Sequence, residues 1–577
     1  MNEAIVQLKQ RVITHLDAVY GGSDNSTLAQ ALLERFGIAD DCASPAPHEN
    51  LWSERDIVLI TYGDSLQRPD EKPLETLRSF LHRHLKECVS AVHILPFFPW
   101  SSDDGFSVIN YVEVNEALGE WSDIEAIASE FDLMADLVIN HCSSRSLWFE
   151  NFKADRDPGR DYFRLCAPDA DLSQVVRPRT SPLLRSVETV AGTRHVWCTF
   201  SHDQIDLDFS NPTVLLEFAG ILRQYLEHGV RIIRLDAVAF LWKELGTPCI
   251  NLPQTHELIR LLRLLVEHAA PGSIIITETN LPNHENLSYF GNANEAHSIY
   301  NFSLPPLLVQ ALVTGNGQAL RNWLMSMPPT QQGTCYLNFI ASHDGIGLRP
   351  VEGLLSEHEV NQLVRTLERF GARISWRTLS DGRPHPYEIN VALFDAMRGT
   401  EAGEDGWQIE RFLCAHAIML AMEGIPAIYI HSFLATGNDE RRVELSQHNR
   451  AINRHQWDMA ELEAQLATPD SAHAQVFARL RELIRLRMAQ PAFHPNAVQY
   501  TLQLGDGLIA LWRQSLDQRQ HIFAIHNITD RPQQFSLAAV NLPEADGWYD
   551  LIGGDTCPDR LCQLTLAPYQ CLWLSNR

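Results

Sequence analysis

Arg231-Ile232-Ile233-Arg234-Leu235-Asp236-Ala237-Val238 follows Gly229 and Val230 as a short β-branched apolar run interrupted by three charges. The apolar residues predict a strand buried on both faces. A charge inside such a strand is costly unless it is paired or put to use. Arg234 and Asp236 are two residues apart, so their side chains leave the same face. On this stretch alone, a structural ion pair at a strand end and a functional pair facing a mouth explain the pattern equally well.

Outward from it, similar apolar runs lie at Ile57–Thr61, Ala91–Pro96, Ala135–Asn140, Ile274–Glu278, Ile299–Phe302, Cys335–Ile340 and Ala427–Ile430, each followed by a longer amphipathic stretch. Together these predict an α/β fold, a closed (β/α)8 TIM barrel spanning residues 51–490. The spacing is uneven. An insertion at about 142–210 and a mobile loop at about 345–400 are expected over the C-terminal face, where such barrels build their sites. Residues 1–50 predict an N-terminal helical extension, with Val6, Leu8, Val12, Ile13 and Leu16 and then Leu28–Phe36 at helical spacing. Ala43-Ser44-Pro45-Ala46-Pro47 ends it. After a helical stretch from Ala472 to Met488, alternation in Val498–Leu504, Leu508–Arg513, His521–His526 and Gln563–Leu566 predicts a small antiparallel β domain over 495–577.

With 577 residues, 45% of them hydrophobic, and a formal net charge of -26, the chain has ample core and no basic surplus. Nucleic acid and anionic membrane are therefore not expected as partners. The eleven cysteines form no C-x-x-C pair, and Met1-Asn2-Glu3-Ala4 lacks the basic-then-apolar pattern of a signal peptide. Reduced thiols and a cytoplasmic protein are expected. Phe412–Leu434 reads as a buried helix and strand, because Glu423, Gly424 and Pro426 interrupt it. No metal site, P-loop or dinucleotide fingerprint stands out, so neither metal nor cofactor is expected. A homodimer is left open.

Four polar clusters close predicted strands: Asn140-His141, Arg234-Leu235-Asp236, Glu278-Thr279-Asn280 and Ser342-His343-Asp344. Barrel topology points them all into one mouth. Three carboxylates around one pocket suit retaining glycoside chemistry, with a nucleophile, a general acid/base of raised pKa and a third group that grips sugar hydroxyls. Arg234 beside Asp236 would keep that carboxylate ionised and oriented, as a nucleophile requires.

These clusters resemble the signature regions of glycoside hydrolase family 13, the α-amylase family. Leu95-Pro96-Phe97-Phe98-Pro99 with Asp103-Asp104-Gly105-Phe106, Ser303–Leu308, Ser342–Gly347 and Asn449–Arg454 resemble its sucrose phosphorylase branch, over about residues 55–490. The resemblance implies that Asp236 is the nucleophile, Glu278 the acid/base and Asp344 the transition-state stabiliser. It implies that Asp103, Phe106, His141, Phe200, Gln204, Arg234, His343 and Arg450 hold the glucosyl ring. It further implies a small α-glucoside and inorganic phosphate as partners, with Arg177, Arg179, Tyr387 and Glu388 on the phosphate and acceptor side.

Val176, Phe240, Asn280 and Glu388 depart from the aromatic residue, tyrosine, histidine and glutamine of sucrose phosphorylases. The N-terminal extension and the Asp381–Asn390 loop resemble glucosylglycerate phosphorylases most. The implied activity is reversible phosphorolysis of glucosylglycerate to α-D-glucose 1-phosphate and D-glycerate. Sucrose, sucrose 6-phosphate or glucosylglycerol phosphorolysis, or an inactive carbohydrate-binding member, are the alternatives.

Overall fold

The computed structural model describes the chain except residues 1, 2, 23, 39–44, 47, 379–382, 541–546 and 557–561. Cys42, Cys557, Asp381-Gly382 and most of the Ala43–Pro47 stretch lie outside the described residues.

Eight parallel strands close a barrel: β1 (Val58–Thr61), β2 (Ala91–Ile94), β3 (Asp132–Val138), β4 (Val230–Asp236), β5 (Ile274–Thr277), β6 (Ser298–Tyr300), β7 (Cys335–Phe339) and β8 (Ile425–Tyr429). Hydrogen bonding joins them in the order β1-β8-β7-β6-β5-β4-β3-β2, and β2 closes on β1. Each falls on a segment read from the sequence. Every residue of β1, β2, β5, β7 and β8 is buried, which is why these strands appear as continuous apolar runs.

The approach to β4 is set locally. The Asn211 side chain accepts the Thr213 N–H at 3.0 Å and Pro212 occupies the first turn, so a helix starts there (Pro212–Glu227). Its buried Val214, Leu215, Phe218, Ile221, Leu222 and Tyr225 form one face against the barrel. Gly229, at φ +84°, then turns the chain into β4.

The N-terminal helix Glu3–Tyr20 buries Ile5, Leu8, Val12, Leu16 and Val19 and packs on the barrel helix Pro253–Ala269. Among the described residues no helix is long and apolar enough to cross a membrane. Phe412–Leu434 holds parts of the helix Gln408–Ala421 and β8. The segment expected as a mobile loop at 345–400 contains substantial regular structure. A helix, Glu357–Arg369, accompanies a three-stranded antiparallel sheet of Ile346–Gly347, Pro384–Asn390 and Arg373–Thr378.

The C-terminal part forms a five-stranded antiparallel sheet of Val498–Leu502, Leu508–Gln514, His521–Asn527, Cys571–Ser575 and Tyr549–Asp550. Arg513 fastens it to the barrel side. This fully buried guanidinium donates to the carbonyls of Ala421 (2.7 Å), His494 (2.8 Å) and Ala497 (3.2 Å). Burial, only partly offset by the charge of Glu423, pulls its pKa down to about 10. Replacing Arg513 with Leu leaves those carbonyls without donors and is expected to cost about 3 kcal/mol. A lower unfolding midpoint by calorimetry checks this, and an unchanged midpoint would show that the clamp contributes nothing net.

Candidate active site

The pleat of β4 sends Arg234 and Asp236 to the barrel interior, and strand register adds a third charge. Asp136 of β3 lies opposite Arg234, and Val138 opposite Asp236. His93 of β2 meets Asp136 at 2.7 Å, Asp136 pairs with Arg234, and Arg234 Nη1 donates to Asp236 Oδ1 at 2.6 Å. The Arg234 guanidinium also lies 5.6 Å from the Tyr300 ring centre and 5.7 Å from that of Phe106. Held from three sides, it can hardly turn, so it fixes the Asp236 carboxylate.

Glu278, immediately after β5, accepts the backbone N–H of Ala237 at 3.0 Å. Ala237 itself sits in the left-handed region at φ +51°, which aims that N–H across the mouth. Burial pushes the pKa of both Asp236 and Glu278 upward, and Glu278's charge adds to the effect on Asp236. The two titrate together. Asp236 touches a guanidinium and Glu278 only an amide, so a single shared proton belongs on Glu278.

Asp344 is the opposite case. Burial alone would raise it, but Arg450 at 2.5 Å, with Arg454 and Arg234 beyond, outweighs burial and holds it well below the usual carboxylate range. Arg450 is gripped from behind by Glu388, whose oxygens accept Nε at 2.9 Å and Nη2 at 2.6 Å. This is a bidentate charge-assisted pair.

Asp103 and Asp104 both adopt positive φ (55° and 45°), and Arg454 bonds Asp104 at 2.8 Å. At Gly105 an added Cβ would lie 2.7 Å from the Pro96 carbonyl oxygen, so only glycine fits this turn. Backbone strain of this kind persists where the surroundings over-determine it. His343 stacks on Phe106 at 4.9 Å, and burial lowers its pKa to about 3, leaving it neutral. Gln204 and His141 both reach the Phe106 carbonyl, at 3.1 and 3.0 Å.

One cavity gathers most of the residues singled out in the sequence. Asp236, Glu278, Asp344, Asp103, Phe106, His141, Phe200, Gln204, Arg234, His343, Arg450, Arg179 and Tyr387 line it. Phe240, Asn280 and Arg349 also line it, whereas Arg177, Val176 and Glu388 are not on its wall. Arg177 folds back onto the Ser181 carbonyl of its own loop. Glu388 is buried, with its carboxylate on Arg450.

Sequence reasoning missed His93, Asp136, Arg454 and Arg349. Asp136 carried a usable signal, a charge inside a buried strand, the same one that drew attention to Arg234. Among the described residues no group of three or more His, Cys, Asp or Glu side chains could hold a metal ion.

Residues 83–345 match the model of the alpha-amylase catalytic domain. The chain is 40% identical to a glucosylglycerate phosphorylase of Escherichia coli K12, over 98% of this chain and all of that one. It is 41% identical to a glucosylglycerate phosphorylase of Allomeiothermus silvanus over the full length of both. The crystal structure of sucrose 6F-phosphate phosphorylase from Thermoanaerobacter thermosaccharolyticum superposes with a TM-score of 0.72 at 26% identity, covering 82% of this chain and 94% of that one. Similarity at this level over whole chains, on a closed barrel with the site at its C-terminal mouth, shows that the chain belongs to the α-amylase family, in the branch that includes the glucosylglycerate and sucrose phosphorylases.

Proposed function

We propose that this protein is a retaining phosphorylase that moves a glucosyl unit between glucosylglycerate and inorganic phosphate, giving α-D-glucose 1-phosphate and D-glycerate. The observation that supports this best is the electrostatic make-up of one cavity. It combines a carboxylate on a fixed guanidinium (Asp236), a carboxyl of raised pKa (Glu278), an ionised carboxylate (Asp344) and two guanidinium groups without a carboxylate partner among the described residues (Arg179, Arg349). The names of the two full-length relatives point to the same substrates.

In the first displacement Asp236 attacks the anomeric carbon while Glu278 gives its proton to the departing glycerate oxygen. The C–O bond to glycerate breaks, and a glucosyl ester on Asp236 forms. Phosphate then attacks from the face that glycerate vacated. The ester bond breaks, and Glu278 takes the phosphate proton. Two inversions retain the α configuration. Asp344, with Arg450 and His343, grips the sugar hydroxyls, while Phe106 and Phe200 offer apolar faces to the ring's C–H side. Asp103, His141, Gln204 and Arg234 complete the ring pocket. Arg179 and Tyr387 receive phosphate, since an anion needs cations or aimed donors.

Incubation with glucosylglycerate, with and without phosphate, tests the proposal. α-Glucose 1-phosphate should form with phosphate, and sucrose should be a poorer donor. Free glucose released equally fast without phosphate would refute it.

A further inference from the structure

Four arginines line the active-site cavity, and they fall into two classes. Arg234 is committed to Asp136 and Asp236, and Arg450 to Asp344 and Glu388. Arg179 lies over the rings of Phe200 and Tyr387, at 5.9 and 5.7 Å, without an ion pair among the described residues. Arg349 has neither an ion pair nor a side-chain hydrogen bond among the described residues, although it sits on a well-braced turn.

That turn, Arg349–Val351, follows β7 and the Asp344 loop. It is fixed by Ser303 Oγ donating to the Pro350 carbonyl at 2.9 Å and by the Leu348 N–H donating to the Tyr387 carbonyl at 3.0 Å. Its backbone is thus rigid while its guanidinium is uncommitted. A cation placed so in a cavity, on a chain of net charge -26, is matched to an anionic ligand.

A second observation places the ligand. Asn280, two residues beyond Glu278, lines the same cavity, and its side-chain carbonyl oxygen is buried without a hydrogen-bond partner among the described residues. It lies against Gly347, two residues before Arg349: a Cβ built at Gly347 would be 2.9 Å from the Asn280 amide nitrogen. Glu278, Asn280 and Arg349 thus line one cavity, with the Asn280 amide against the segment that leads into the Arg349 turn. A buried acceptor lacking a donor calls for a hydroxyl there, and Arg349 beyond it calls for a negative charge. Glycerate is a three-carbon acid, so its free hydroxyl and carboxylate both lie within two carbons of the oxygen that Glu278 protonates.

We propose that Arg349 binds the carboxylate of glycerate and so selects the acceptor. This rests on the function proposed above. It separates the anions by position, with the carboxylate on Arg349 and phosphate on Arg179 between its two rings.

The test runs the reaction backwards, from α-glucose 1-phosphate, with glycerate and glycerol as acceptors. Glycerol keeps hydroxyls and lacks the carboxylate. In Arg349→Gln the ratio of kcat/KM for glycerate to that for glycerol should fall about 10- to 100-fold, the worth of a charge-assisted hydrogen bond, through a raised KM for glycerate. Arg349→Lys should recover part of it. Because the ratio is taken within one preparation, it does not depend on the folded fraction. A wild-type ratio near one would overturn both the functional reading and this proposal. A high wild-type ratio kept by Arg349→Gln would overturn this proposal alone. So would a KM for glucose 1-phosphate that rises as much as that for glycerate, since Arg349 would then be a phosphate ligand.

Discussion

Asp236→Ala is expected to reduce turnover of every α-glucoside donor by roughly four to six orders of magnitude, the scale on which removal of a covalent nucleophile acts. The fold should survive the change. Arg234 keeps its pairing with Asp136, so no buried cation is orphaned. The carboxylate being removed is one that burial already disfavours. Deleting a desolvated charge whose partner remains satisfied elsewhere is often neutral or stabilising. The variant should therefore unfold at or above the wild-type temperature while losing activity. Glucose 1-phosphate release and calorimetry on the same preparation check both halves. A further readout separates a missing nucleophile from a collapsed pocket. Azide, small enough for the space left by the side chain, should attack α-glucosyl fluoride from the Asp236 side and give β-glucosyl azide with loss of fluoride. Activity within tenfold of wild type would refute the assignment.

The same stretch shows how far the sequence could be read. Strands buried on both faces are apolar at most positions, so β1–β8 were visible as runs. Polar residues at their ends were visible because nothing but pairing or function keeps charge there. What stayed hidden depends on register and on distant contacts. Asp136 faces Arg234 only because β3 and β4 pair in one particular register, which no single run reveals. The Arg450–Glu388 clamp joins the β-hairpin at Pro384–Asn390 to a turn far along the chain. The resemblance of its loop put Glu388 on the acceptor side, and its carboxylate also braces Arg450 from behind, a contact no local pattern announces. Cys571–Ser575 escaped notice although it is an almost wholly buried, largely apolar run that pairs with strands on both sides. Arg349 carried no local signal at all. Its significance lies in having no side-chain partner among the described residues, and only a structure reveals that.

Glu278→Gln should divide donors by their leaving groups. Glutamine can still accept the Ala237 N–H, so the mouth keeps its shape and loses only a proton. Glycerate leaves as a poor alkoxide unless protonated, and phosphorolysis of glucosylglycerate is expected to fall about 10²- to 10⁴-fold, the usual worth of general acid catalysis. Fluoride needs little such help, so glucosylation from α-glucosyl fluoride should fall far less. The pH dependence carries the sign. Burial, with the charge of Asp344 adding to it, raises the pKa of Glu278, so the acid stays protonated to higher pH than a free glutamate would. Wild-type cleavage of glucosylglycerate should then decline as pH rises through that raised value, and the alkaline limb should be absent for the variant acting on the fluoride. Asp344, held low by Arg450 despite its burial, stays ionised throughout and contributes no limb in this range. Pre-steady-state glucosylation across pH measures both effects. Equal losses on the two donors would mean that Glu278 positions the substrate rather than protonating it. The shared proton would then have to be reassigned to Asp236.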